Sequence, residues 1–514
     1  MSSTTEARTT SITGNSFAGR ANTQRVVLIT LGSGPRCLDA WESQQEDFNV
    51  VTRGFQNNNT QRWMLTNVGG DLYTIMQISS GRYLDAHEIE GLDFRAVTRP
   101  QQNNNTQLWR LIDFGGAFFT IQQLSSGRAL EANLTDADYF QVVTRPASGN
   151  DLQVWRIVGA EVLPTVVDRS AQFGTPPAAG RPTACVIPGL GVDNIAYRDT
   201  SGRLHELWRD AQGATGTTNL TGIAGAPTAV GNPFAYVDTS RNTEILLYRD
   251  GAGTVRSLYW STGPVGHDNL SGSAGAPNAA GSPVGYYTPA ADTHHVIYRT
   301  GNGHLHELNW TGVAPVVYGG NLTAAIAAPS AAGDPTAFVN AVGENIVVYR
   351  SGTGHILSLY WANGPSGLDD LSGVAGTPAA AGDPVGYYTA HDNAHQVVYR
   401  AGNGHLYELY WPGVAPVSGW DLSALSGAPA ATGNPAAYYS AGTNTKHVIY
   451  RSSDGRLHDI RWVPGGGTPA HVDLTAVAGA PPAADHPAAF TVEAPSSQHV
   501  AYRGTDNHIY EVRW

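Results

Sequence analysis

The chain is 514 residues long, too long for one hydrophobic core and suited to two to four domains. Only 14% of its residues are charged, while Gly (60) and Pro (30) are abundant, which excludes long solvated helices and fits short strands joined by tight turns. A net charge of -12 argues against nucleic acid or an anionic bilayer as partner, since both are bound through clustered Lys and Arg, and favours a neutral ligand.

Residues 1–24 are rich in Ser, Thr, Gly and Asn and lack the apolar run of a signal peptide or membrane anchor. They read as a disordered lead-in, with cytoplasmic synthesis, leaderless release left open, and no membrane insertion. With only Cys37 and Cys185 present, no disulfide framework supports the fold.

Residues 25–160 contain three units spaced by 46 residues, marked by Gln61-Arg62-Trp63, Gln107-Leu108-Trp109 and Gln153-Val154-Trp155. Each unit also carries a Leu-acid-Ala turn, at Leu38-Asp39-Ala40, Leu84-Asp85-Ala86 and Leu130-Glu131-Ala132, followed by Val-Thr-Arg ending at Arg53, Arg99 and Arg145. Alternating apolar and β-branched residues make these segments strands, and Asn57-Asn58-Asn59 and Asn103-Asn104-Asn105 supply turns. Three units of four short strands predict a barrel with pseudo-three-fold symmetry, its three Trp filling the core and each Gln bonding nearby backbone.

The triple Gln-x-Trp after a Leu-Asp-Ala turn resembles the ricin-B-type β-trefoil lectins. The resemblance implies that Asp39 and Asp85 accept hydrogen bonds from sugar hydroxyls, with Glu131, one methylene longer, in the third pocket. The family's stacking aromatic falls here near Arg53, Arg99 and Arg145, so stacking passes to Trp41, His87, Phe48 or Phe94. The same residues admit a scaffold reading in which Asp39 and Asp85 pair with Arg53 and Arg99.

Residues 164–514 carry Tyr-Arg seven times, from Tyr197-Arg198 to Tyr502-Arg503, with successive arginines 50 to 52 residues apart. Four strands per unit make each a propeller blade, and the third strand of the seventh unit ends at Trp514. Val166-Val167-Asp168-Arg169-Ser170 then supplies the missing strand and closes the ring. An acid eight residues after the Arg and a Trp eleven after it recur, as in Arg299, Glu307, Trp310 and in Arg400, Glu408, Trp411. Such a set offers a fork donor, an acceptor and an indole face for a sugar. The pattern loosely resembles the fucose-binding and tectonin-like propeller lectins. A two-residue turn at Gly301-Asn302 places Arg299 opposite His304 and Glu307 opposite Val296, too far apart to pair within one blade. His304, His306, His355 and His405 read as solvated turn residues rather than metal ligands.

The whole is expected to be all-β, a β-trefoil followed by a seven-bladed propeller. No catalytic triad, phosphate loop, acid dyad or metal cluster stands out, and no cofactor is called for. Symmetric repeats favour a non-enzymatic multivalent lectin for glycans or glycoconjugates, of unread oligomeric state. The alternative is a protein-interaction platform or toxin-like effector that the trefoil targets to a glycan surface. A glycosidase is disfavoured because its two carboxylates should be unique to one site.

Overall fold

The structure, a computed structural model, describes residues 24–34, 36–56, 58–115, 118–135, 140–159, 164–362, 367–493 and 496–514. The lead-in 1–23, the linker positions 160–163 and the turn residue Asn57 lie outside them. The chain divides into two compact units, Met1–Leu163 and Pro164–Trp514. Both cysteines are free thiols.

The first unit has twelve strands: β1 (Gln24–Leu31), β2 (Arg36–Ala40), β3 (Val50–Gly54), β4 (Arg62–Gly69), β5 (Leu72–Gln77), β6 (Tyr83–Ala86), β7 (Ala96–Arg99), β8 (Trp109–Gly115), β9 (Phe118–Gln123), β10 (Ala129–Ala132), β11 (Val142–Arg145) and β12 (Trp155–Gly159). β1 pairs with β4 and β12, β5 with β4 and β8, and β9 with β8 and β12, which closes a six-stranded barrel. The hairpins β2–β3, β6–β7 and β10–β11 complete the trefoil.

Trp63, Trp109 and Trp155 are fully buried in one apolar cluster. Each indole N–H donates to the carbonyl of the Leu before the Leu-acid-Ala acid, Leu38, Leu84 or Leu130, at 3.1, 3.0 and 2.9 Å. The paired Gln residues bond backbone on both sides of their turns, as Gln107 does with Gln102 N–H and Pro100 O. Burial with the polar edge satisfied makes each Trp a scaffold residue, whose loss to Ala costs about 3–5 kcal/mol.

A second three-fold device is cationic. Arg36, Arg82 and Arg128 lie 3.6, 3.6 and 3.8 Å over the rings of Phe140, Phe48 and Phe94, each from a different repeat. The three Phe sit at φ of 54°, 52° and 52°, a strained region for a bulky side chain. Phe48 and Phe94 are thus each covered on one face by an arginine of another repeat.

The second unit is seven four-stranded antiparallel sheets. In the third blade these are Val284–Thr288, Thr293–Arg299, Leu305–Thr311 and Val317–Asn321. The seventh combines Ala488–Glu493, Ser496–Arg503 and Ile509–Arg513 with Thr165–Asp168, which pairs with the third of these from Thr165↔Arg513 to Asp168↔Tyr510.

The blade hairpin is one residue longer than the two-residue turn read from the sequence. Arg299 faces Leu305 and Glu307 faces Ile297, because Thr300 N–H bonds His304 O around a three-residue loop. Gly303 ends that loop at φ 83°, a conformation that favours glycine, and the next blade's Ala331 O would stand 3.0 Å from any added Cβ.

The recurring Asn/Asp-Leu-Ser/Thr is a helix cap. Asn321 accepts from Ala324 N–H and Asn219 from Gly222 N–H, while the following Thr oxygens receive Leu305 and Leu204 N–H. At the closure the motif reads Asp168-Arg169-Ser170, with a buried Arg in place of the core Leu. Arg169 Nη1 stands 3.7 Å from Glu511, and Arg209, the residue that replaces Trp in the first blade, stands 3.6 Å from the same carboxylate. Burial raises the Glu511 carboxyl, but the hydrogen bond and charge of His499 and the charges of Arg209 and Arg169 outweigh it and hold it at about 2. The two departures from the repeat thus converge on one buried ionic lock.

Deleting residues 164–172 removes the closing strand and leaves Glu511 buried without Arg169. The expected result is a fall in propeller melting temperature on the order of 5–10 °C, read by differential scanning calorimetry of the full chain. A melting temperature within about a degree of wild type would show that this strand does not hold the ring.

Candidate functional site

The three acid turns of the trefoil differ in what their carboxylates touch. In all three the acid opposes a valine of the following strand, Asp39↔Val51, Asp85↔Val97 and Glu131↔Val143. Asp39 and Asp85 each fix one oxygen on the next backbone N–H, of Ala40 and Ala86, at 2.7 and 2.8 Å.

In the first repeat the remaining oxygen of Asp39 is buried 3.4 Å from Arg53 Nη1. The Arg53 guanidinium lies 4.2 Å over the ring of Trp41, which is 38% exposed. Asp39, Trp41 and Arg53 therefore form one cluster, with Arg53 between acid and aromatic.

In the second repeat Asp85 and Arg99 do not pair. Arg99 bonds Asp47 at 3.0 Å, and His87 Nε2 lies 2.9 Å from the same carboxylate and 3.1 Å from Arg99. Burial raises the Asp47 carboxyl, but the hydrogen bonds from Arg99 and His87 outweigh it and keep it below the usual carboxylate range. The second oxygen of Asp85 has no hydrogen-bond partner among the described residues, and the side chain is 5% exposed.

In the third repeat Arg145 makes a two-pronged bond to Asp93 at 2.9 Å. Glu131 is engaged by Gln153 Nε2 at 2.8 Å and Asn150 Nδ2 at 3.2 Å. The longer acid thus reaches scaffold donors that Asp39 and Asp85 do not. Asp47 and Asp93 were missed as partners of the arginines. Their signal is the repeated Asp-Phe at Asp47-Phe48 and Asp93-Phe94, with Tyr139 at the third position, where Arg53 turns to Asp39 instead.

In the propeller, Arg, acid and Trp of one blade do not meet. Arg299 points toward Asp334 of the following blade, Nη2 to Oδ1 at 4.0 Å. Glu307 is buried with His295 Nδ1 at 2.7 Å, and Trp310 stacks on His294 at 4.6 Å. Arg400 donates to Ala381 O at 3.0 Å, while Glu408 lies 3.6 Å from the buried Lys446 of the next blade. Trp411 stacks on His395 at 4.8 Å.

The acid of one blade instead faces the Trp of the next. Trp260 Nε1 donates to Glu206 at 3.0 Å, and Glu307 and Trp361 line one cavity of about 390 Å³ between the third and fourth blades. A cavity of about 370 Å³ between the fourth and fifth blades is lined by Ser358, Tyr360, Asp369, His395 and Trp411. Both fall in the size range of small-ligand sites. Of the four turn histidines, His306 is buried between Tyr298 and Tyr318 rather than solvated. His355 and His405 bond the helix-capping acids Asp370 and Asp421.

Residues 59–144 match the family model described as ricin-type beta-trefoil lectin domain-like. No curated protein matches the chain in sequence. Among solved structures, the BP39L lectin from Burkholderia pseudomallei aligns with a TM-score of 0.53 and 11% identity over 66% of this chain and 96% of its own, a likeness of fold. The designed three-fold symmetric protein ThreeFoil is 25% identical over 26% of this chain and 99% of its own, with a TM-score of 0.25. A lectin-type trefoil supports carbohydrate binding in general. No helix among the described residues is long and apolar enough to cross a membrane.

The interblade acids make a pH signature. Glu206 and Glu244 are buried together between the first two blades, where burial, and for Glu244 also the Glu206 charge, pushes both carboxyls up; burial raises Glu408 to about 7. A carboxyl whose folded pKa is raised favours the folded state below its unfolded pKa, and this advantage is lost as pH rises through the folded value. Propeller stability is therefore expected to fall from about pH 5 to pH 8. Glu206→Gln should raise the melting temperature at pH 8 by a few degrees and leave it nearly unchanged at pH 5. Equal shifts at both pH values, in a fluorimetric melting series, would assign the acid no such role.

Proposed function

We propose that the chain is a non-enzymatic, multivalent carbohydrate-binding protein, with the second repeat of the trefoil as its principal glycan seat. The observation that carries this reading is Asp85, a rigid carboxylate with one oxygen fixed by Ala86 N–H and the other uncommitted. Beside it in sequence, His87 and Arg99 are held by Asp47. A ligand hydroxyl donating to Asp85 gains a charge-assisted hydrogen bond without reordering the acid. The ricin-type lectin match across residues 59–144, which spans this repeat, supports the same reading.

The first repeat is the second seat. There the Arg53 guanidinium must swing away from Trp41 before a sugar ring reaches the indole, so its affinity is lower. Glu131 is committed to Gln153 and Asn150, and the third repeat contributes least. The interblade cavities at Trp361 and Trp411 are further seats, where an indole and a carboxylate from adjacent blades meet a ring. Several weak seats on one chain raise avidity for a glycan-covered surface by about 10² to 10⁴.

The test is glycan-array profiling of the full chain, followed by isothermal titration with the best hit. Asp85→Asn should weaken binding at the strongest site about tenfold or more, because it removes an interaction of about 1.5–3 kcal/mol. Asp39→Asn should act mainly on the melting temperature, through loss of the Arg53 pair. An Asp85→Asn protein that is folded and binds as well as wild type removes the second repeat from the site.

A further inference from the structure

Each blade enters the propeller axis on the residue before a proline, giving the ring Arg181, Asn232, Ser282, Asp334, Asp383, Asn434 and His486. The ring is knitted by bonds between successive blades. Arg181 N–H donates to Asn232, Ser282 N–H to Asp334 and Asp383 N–H to Asn434, at 3.0, 3.1 and 3.0 Å. It surrounds a cavity of about 420 Å³ lined from all seven blades.

Behind this ring stand the seven arginines of the Tyr-Arg repeat. A Cβ added at Gly180, Gly231, Gly281 or Gly333, the residues just before the ring, would lie within 4.0 Å of Nη2 of Arg198, Arg249, Arg299 or Arg350. Arg181 lines the cavity itself, and the charges of Arg451 and Arg400 act on His486 of the ring, in a chain whose net charge is -12. Among the described residues the ion pairs of these arginines are three, Arg299 with Asp334, Arg350 with Asp383 and Arg503 with Asp485.

The uncompensated cations are not scattered. Arg400 and Arg451 belong to the fifth and sixth blades and Arg181, Arg198 and Arg249 to the first and second, with the seventh blade and its Arg503–Asp485 pair between the two groups. Arg400 and Arg198 bond only carbonyl oxygens, and the side chains of Arg181, Arg249 and Arg451 have no hydrogen-bond or ion-pair partner among the described residues. The Nε atoms of Arg249, Arg400 and Arg451 are buried and unpartnered. His486 of the seventh blade stands beside Asp485; burial lowers its imidazole, the Asp485 charge opposes this, and the charges of Arg181, Arg451 and Arg400 add to the lowering.

We propose that the mouth of this axial cavity binds a compact polyanion bearing phosphate or sulfate groups, held by Arg181 in the cavity wall and by Arg400, Arg451, Arg198 and Arg249 behind it. Forked guanidinium donors match tetrahedral oxyanions, and several uncompensated cations match several charges on one small body. The cavity volume admits a molecule of drug size rather than a single ion alone. The site is independent of the trefoil seats.

The experiment is isothermal titration of the full chain with inositol hexakisphosphate as probe, beside myo-inositol, inorganic phosphate and inorganic sulfate. The hexakisphosphate should bind one per chain and weaken about tenfold or more between about 50 and 200 mM salt, while myo-inositol gives no heat. Equal affinity for inorganic phosphate or sulfate would identify the free ion as occupant, and a clear preference for the hexakisphosphate a polyphosphorylated small molecule. The double variant Arg400→Gln, Arg451→Gln should lose about tenfold or more in affinity, with Arg241→Gln, a surface arginine, unchanged. If the double variant does not fold, phenylglyoxal labelling of wild type decides, since bound hexakisphosphate must protect the peptides holding Arg400 and Arg451. No binding by any anion at about 1 mM, affinity untouched by the double variant, or labelling without protection overturns the proposal.

Discussion

The propeller depends on the period-two alternation that sends adjacent Tyr and Arg to opposite faces of each blade. The Tyr ring is fully buried in all seven blades and packs toward the preceding blade, as Tyr298 does in a cluster with Tyr236, Leu247 and Val255. In six of them the hydroxyl closes on a proline carbonyl about one blade-loop upstream, at 2.8 to 3.1 Å. The Arg beside it turns the other way, and in the first, third and fourth blades it reaches Gly231 O, Asp334 and Asp383 of the following blade. A slip of one residue would exchange a buried aromatic for a buried charge.

The trefoil solves the same problem of joining equivalent units with a different pair. Its Arg–Phe stacks connect one repeat to another at the expense of a left-handed Phe backbone, a strain of about 1–3 kcal/mol set against a partly desolvated cation–π contact of similar size. In both units side chains also pair between repeats. Asp47 serves Arg99, Asp93 serves Arg145, and Glu206 serves Trp260.

That geometry explains what the sequence made legible. Spacing identifies whatever recurs inside a unit: the Trp of Gln-x-Trp, the four strands of a blade, and the strand at Thr165–Asp168 that the seventh blade lacks. It does not reveal partners across units: Arg299 turns to Asp334 of the next blade, and Arg99 to Asp47 of the preceding repeat. The axial ring was harder still to read, since its seven residues differ chemically and only the following proline repeats. Exceptions to a repeat carried information that the repeat did not: Arg209 in place of Trp and Arg169 in place of Leu both mark the closure.

The four-rung seam between Thr165–Asp168 and Ile509–Arg513 ties residues 348 apart in the chain. On a ribosome adding about 5–20 residues per second, the first partner waits roughly 20–70 s for the second to emerge. Six blades can hydrogen-bond internally during that interval, but the circular arrangement cannot exist until translation of the seventh is nearly finished. The axial cavity, which takes walls from every blade, is then the last part of the propeller to acquire its shape.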